Sequence, residues 1–151
     1  MSVLFLAVGT TRARAVCTAG RFLAERGVPV TLLTTSAAPW AKEGLDERVS
    51  VVPLETRLDK KLLATSPVNK VYRLMRPYAM WRSARRRAVK DVDWATVEQV
   101  VVFDSHAIPI GWHVARRQPR LAVGFELDRA PYADRVPAGS PDPNSDGADE
   151  K

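Results

Sequence analysis

Five short apolar runs divide the chain, and the segments between most of them carry helical spacing. Val3 to Val8 (VLFLAV) is apolar at every position. Apolar on both faces, such a strand belongs in the middle of a sheet covered on both sides. Gly9-Thr10-Thr11 ends it. A helix is then predicted from about Arg12 to Arg26, with Val16, Ala19, Phe22 and Leu23 on one face and Gly27 as its stop. Val28 to Thr35 is the second strand, with Pro29 tolerated near its start. Strand, helix and strand with short connections form a right-handed βαβ crossover, so the strands are predicted parallel.

Ser36 to Asp46 reads as a loop with a short helix, and Val49 to Leu54 as a third strand. Arg48, Pro53 and Glu55 around that strand suit an edge position. A long excursion follows, from Glu55 to Asp93. Within it Val71, Leu74, Met75, Tyr78, Trp81 and Ala84 keep a helical spacing that Pro77 interrupts. Val100 to Asp104 is the fourth strand, Ile108 to Arg117 a helix with Ile110, Val114 and Trp112 as packing residues, and Leu121 to Phe125 the fifth strand. The expectation is an α/β fold: a doubly wound parallel sheet of about five strands over residues 1–127, covered by helices. From Asp128 to Lys151 the chain turns to Pro, Gly, Asp and Ser, and disorder is expected there.

Composition narrows the class. At 151 residues the chain suits one domain with a proper core. No apolar run reaches the roughly 20 residues of a membrane-spanning helix. The apolar N-terminus has no preceding basic residues and no small-residue cleavage site, so it reads as a strand and not a leader. The single cysteine, Cys17, allows no intrachain disulfide and no cysteine-based zinc site, which fits a cytoplasmic setting. Net charge is +6, but ten basic and no acidic residues lie between Lys60 and Lys90, so the remainder is net negative. Such a field predicts an anionic partner.

Three places can carry chemistry. The loop Gly9-Thr10-Thr11-Arg12 lies at the binding edge of such a sheet, where backbone amides, hydroxyls and a guanidinium favour an anion. It has one glycine and matches neither the dinucleotide nor the phosphate-loop fingerprint, and a tight strand-to-helix turn with a threonine cap is the other reading. Asp104-Ser105-His106 ends the fourth strand. His106 there could act as a general base oriented by Asp104, with Ser105 at the same edge. A cap on the next helix by Asp104 or Ser105 is the other reading. His113 and His106 with Asp104 match no familiar metal spacing, so no metal is expected. The third place is the basic segment, with Arg73, Arg76, Arg82, Arg85, Arg86 and Arg87 beside Tyr78 and Trp81. It suits an anionic lipid surface, placing the protein peripherally at the inner membrane face, or, less favoured, nucleic acid. An ordinary amphipathic helix with solvated arginines is the third possibility.

The segment from Thr18 to Thr34, TAGRFLAERGVPVTLLT, resembles the first helix and second strand of the acceptor-binding N-terminal domain of GT-B glycosyltransferases, family-4-like. Val101 to His106, followed by Pro109, Ala115 and Arg116, is similar to a later histidine-bearing stretch of that domain. The resemblance implies a Rossmann-like acceptor domain with His106 lining the acceptor cleft. It also implies that sugar transfer needs a second domain or chain, or a homo-oligomer, which would bring the nucleotide-sugar donor; this chain by itself is expected to bind no cofactor. The departures are the single-glycine first loop, Val28 in place of the usual histidine, and no room for the nucleotide-sugar domain in this sequence. The alternative function is a non-enzymatic module engaging nucleic acid or another anionic partner through residues 60–90.

Overall fold

In the computed structural model, the described residues are 1–54, 82 and 92–135. They form a sheet of five parallel strands: β1 (Ser2–Leu6), β2 (Val30–Thr34), β3 (Val49–Pro53), β4 (Val97–Val102) and β5 (Ala122–Gly124). Their order is β3-β2-β1-β4-β5, the Rossmann-like arrangement. From β1 the chain builds outward to β2 and β3. It then returns to the other side of β1 to lay down β4 and β5. The crevice where the order reverses therefore opens between the carboxyl ends of β1 and β4.

The apolar run in β1 has the reason expected of it. Val3, Leu4, Phe5 and Leu6 are all fully buried because each face of the sheet has its own core. Helix α1 (Ala13–Glu25) packs Val16, Ala19 and Leu23 onto the face that carries Val3, Phe5, Leu32 and Val101. Helix α3 (Ile108–Arg117) packs Ile110 and Val114 onto the face of Leu4, Leu6, Val100 and Val102. The short helix α2 (Ala38–Lys42) adds Trp40 to the first core, where its indole Nε1–H donates to the Thr34 hydroxyl at 2.7 Å.

Local sequence explains the joints. Gly27 follows α1 at φ 66°, a left-handed stop that glycine adopts at low cost. Pro29 lies just outside the ladder, and its carbonyl accepts from the Val3 N–H at 3.0 Å. In α3, a Cβ at Gly111 would lie 2.6 Å from Val102 Cγ2, so the missing side chain sets how closely the helix approaches β4.

Several boundaries differ from expectation. Strand β4 starts at Val97, three residues before Val100, because Gln99 is a polar residue the sheet nevertheless buries. With its oxygen toward the Asp128 N–H (2.7 Å) and its nitrogen toward the Asp128 carbonyl (3.3 Å), the Gln99 amide pairs with that backbone in both directions. This docks the chain beyond β5. Residues 128–135 are consequently ordered against the domain: Ala130–Tyr132 forms a 3-10 turn, and Tyr132 is 1% exposed in the α1-side core. The expected disorder from Asp128 is corrected over those residues; 136–151 lie outside the described ones. Trp112, expected to pack, is 60% exposed, since the buried face of α3 is set by Ile110, Gly111 and Val114. Its ring instead lies under the Arg116 guanidinium at 4.9 Å. Strand β3 occupies the sheet edge, as its flanking residues suggested.

Candidate functional site

Three turns meet at the reversal of the strand order. After β1, the Ala7 N–H donates to Leu33 O at 3.0 Å, and Val8 O accepts from the Thr35 N–H and hydroxyl. On the other flank, the Phe103 N–H donates to Leu6 O at 2.9 Å. The loop Gly9-Thr10-Thr11-Arg12 is thus pinned at its base by both neighbouring strands. It closes as a tight turn in which Ala13 N–H reaches Thr10 O at 2.9 Å, and α1 begins without a side-chain cap.

Asp104 decides how this edge is organised. Its extended backbone (φ −136°, ψ 160°) precedes the 3-10 turn Ser105–Ala107. Carboxylate Oδ1 accepts from the Ala107 N–H at 2.9 Å, and Oδ2 accepts from the Gly9 N–H at 3.1 Å. One oxygen caps the turn that leads into α3, while the other ties it to the loop after β1. A strand-end aspartate that caps the next turn is expected chemistry; the reach across 95 positions of sequence is not visible without the fold.

This arrangement bears on two expectations. The expected pairing of Asp104 with His106 is absent: both carboxylate oxygens hold backbone amides, and no hydrogen bond joins the two side chains. His106 and Ser105 lie exposed on the 3-10 turn, with Ser105 O accepting from the Ile108 N–H. The Gly9 amide, the group best placed for an external anion, is occupied by the protein's own carboxylate. Of the loop residues, Thr11 and Arg12 line the cleft at this edge; Gly9 and Thr10 are not among its lining residues.

Two adjoining cavities open here, sharing Arg12, Phe103 and Phe125 as common walls. The smaller, about 450 Å³, is bounded by Thr11, Asp104, Ser105, His106 and Ile108. The larger, about 680 Å³, lies between α1 and the segment after β5 and adds Arg14, Thr18, Glu126, Leu127 and Arg129. Both fall in the size range of small-molecule sites, and a switch-point crevice is where such sites form in parallel sheets. Phe103 is 9% exposed and forms the floor, with its ring edge-on to Phe5 at 5.0 Å; Phe125 is 65% exposed at the mouth.

The cleft is electropositive. Neither Arg12 nor Arg14 makes a side-chain hydrogen bond or ion pair with a described residue. Arg129 rests over the Phe22 ring at 5.0 Å. The ion pair among the described residues, Arg48 with Asp46 at 2.8 Å, belongs to the turn before β3. Perturbed groups lie away from the cleft mouth. Burial, then Glu43, pushes the Cys17 thiol up, and its Sγ–H reaches Glu43 O at 3.4 Å. Burial, then Glu98, raises the Tyr132 phenol. Among the described residues no three side chains are grouped as metal ligands, and no helix is long and apolar enough to cross a membrane.

Arg14, Phe125 and Arg129 were not singled out by sequence reasoning. A signal for Arg14 existed: from Thr10 to Ala24 there are arginines at 12, 14 and 21 and no carboxylate. Arg129 fell in a stretch read as tail, and the Gln99–Asp128 pairing together with the burial of Tyr132 brings it back to the cleft. Of the arginines expected to form an anionic-surface face, Arg82 alone is described, helical and exposed; Arg73, Arg76, Arg85, Arg86 and Arg87 lie outside the described residues. The fold and cleft define a Rossmann-like α/β protein with a basic switch-point site. No protein-family model, curated protein or solved structure matches the chain.

Proposed function

We propose that this chain binds a small acceptor molecule in the switch-point cleft and serves as the acceptor-side half of a glycosyl-transfer site, paired with a domain or chain that carries the nucleotide-sugar donor. The observation that supports this most is the position of the two joined cavities, at the carboxyl ends of β1 and β4 where the strand order reverses. The resemblance of Thr18–Thr34 and Val101–His106 to acceptor domains points the same way. In this reading His106, at the rim of the smaller cavity, accepts the proton of an acceptor hydroxyl. The hydroxyl oxygen bonds to the anomeric carbon as the bond from that carbon to the nucleotide diphosphate breaks, and the diphosphate leaves with the electron pair. Asp104 is a positioning residue that holds the His106 turn against the β1 loop.

Titrating candidate acceptors into the 15N-labelled chain tests the reading. Amide shifts are expected at Thr11, Phe103, Ser105 and Phe125. Shifts confined to α2 or the β3 edge would refute it. In a reconstituted two-component enzyme, His106→Gln should keep acceptor binding and lose turnover; unchanged turnover removes the base.

A further inference from the structure

The larger cavity carries an imbalance of charge that the fold does not use. Arg12, Arg14 and Arg129 line it, and Glu126 is the single carboxylate among its lining residues. Surface arginines are ordinarily solvated or paired along a helix. These come from two segments distant in sequence, the start of α1 and the chain after β5, and converge on one concavity. The side chains of Arg12 and Arg14 make no hydrogen bond to a described residue, although both stand in a cleft about 680 Å³ in volume. A concave wall with a net positive charge concentrates counter-ions far more than scattered cations do. The Gly9 N–H is not the source of this preference, since it already serves Asp104.

The apolar walls lie to one side of the cations. Phe103 and Phe125 are shared by both cavities, so a ligand gripped in the larger one extends across two aromatic side chains toward Ser105 and His106. Planar guanidiniums recognise phosphate and carboxylate oxygens in a bidentate manner, and phosphate best satisfies several at once.

We infer that the ligand of this cleft is a phosphorylated small molecule: its phosphate is held by Arg14 and Arg129 with Arg12 at the junction, and its uncharged part lies along Phe103 and Phe125 toward His106. This rests on the switch-point cleft being the binding site and adds the class of ligand. Arg14 and Arg129 become specificity-determining residues. A neutral analogue of the same ligand lacks the group they recognise.

Calorimetric and 15N-amide titrations of the full chain with glucose 1-phosphate, phenyl phosphate and glucose test the inference. Variants are Arg14→Gln, Arg129→Gln and the double substitution, with Arg117→Ala on the exposed end of α3 as control. Retained amide dispersion shows that each variant is folded. Both phosphate esters should bind and glucose should not. Each single substitution should weaken binding about tenfold, the worth of one charge-assisted contact, and the control should leave it unchanged. Affinity should fall as salt rises. If glucose shifts the cleft amides as strongly as its phosphate, or the double variant binds phosphate like the wild type, the phosphate inference is overturned and the cleft reading stands. If neither ester nor sugar moves any cleft amide, both fall.

Discussion

Replacing Asp104 by alanine removes a side chain that joins the loop after β1 to the turn after β4. Two interactions are lost. The cap on the Ala107 N–H is half-buried and worth about 1 kcal/mol. The bond to Gly9 N–H is exposed, so water replaces the carboxylate there and the loss is about 1 kcal/mol. The total, about 2 kcal/mol, corresponds to a fall in Tm of about 4–8 °C for a chain of this size. Asparagine can present one oxygen, to Ala107 or to Gly9, with its NH2 facing the other amide, and should cost about 1 kcal/mol. Urea unfolding followed by circular dichroism would give both values as shifts in midpoint at constant slope. Amide hydrogen exchange would localise them, with faster exchange at Gly9 and Ala107 in the alanine variant. Alanine within about 0.5 kcal/mol of the wild type, a level typical of surface sites without such features, would refute the account. Asparagine as damaging as alanine would also refute it, because the two-oxygen bridge would then not be the cause.

Gly111→Ala should destabilise by about 1–3 kcal/mol despite alanine's better helix propensity, because its Cβ meets Val102 Cγ2 at 2.6 Å; a more stable variant in urea would contradict the packing. Tyr132→Ala should cost about 3 kcal/mol, and Tyr132→Phe far less, if residues 128–135 belong to the folded unit; equal stability of the two variants would show that they do not. The Asp46 carboxyl is held down from 3.8 to about 2, first by the side-chain hydrogen bond from Arg48 and then by the backbone one. Its folded value lies below its unfolded value, so its contribution is present above about pH 4 and is lost as pH falls through about 2. Asp46→Asn should flatten that part of the stability-versus-pH curve, measured by urea midpoints, and a curve parallel to the wild type would remove Asp46 as its cause.

The legible part of this protein was its periodicity. The unbroken apolar runs of β1 and β4 required cover on both faces, and α1 and α3 supply it with the residues their spacing indicated, Val16, Ala19 and Leu23 on one side and Ile110 and Val114 on the other. Helix α3 occupies the expected range, Ile108–Arg117. Where a buried position is polar, periodicity misleads. Gln99 concealed the start of β4, and its partner Asp128, in a stretch of low apolar content, concealed the end of the fold.

The candidate site divides along the same line. That a strand ending in Asp104-Ser105-His106 would stand at a ligand edge follows from local order, since parallel strands place their carboxyl ends together. What each residue does there does not follow. Asp104 and Gly9 meet only because β1 and β4 are neighbours, and that contact makes the Asp104 carboxylate a brace between two turns and occupies the Gly9 amide. Arg14 and Arg129 share a cavity because a glutamine in the sheet and the buried Tyr132 dock the chain after β5. Hydrophobic spacing is a property of neighbours along the chain and survives in the sequence as strands, helices and a parallel sheet. The charge of a cleft is a sum over segments distant in sequence, and it exists once the sheet has brought them together.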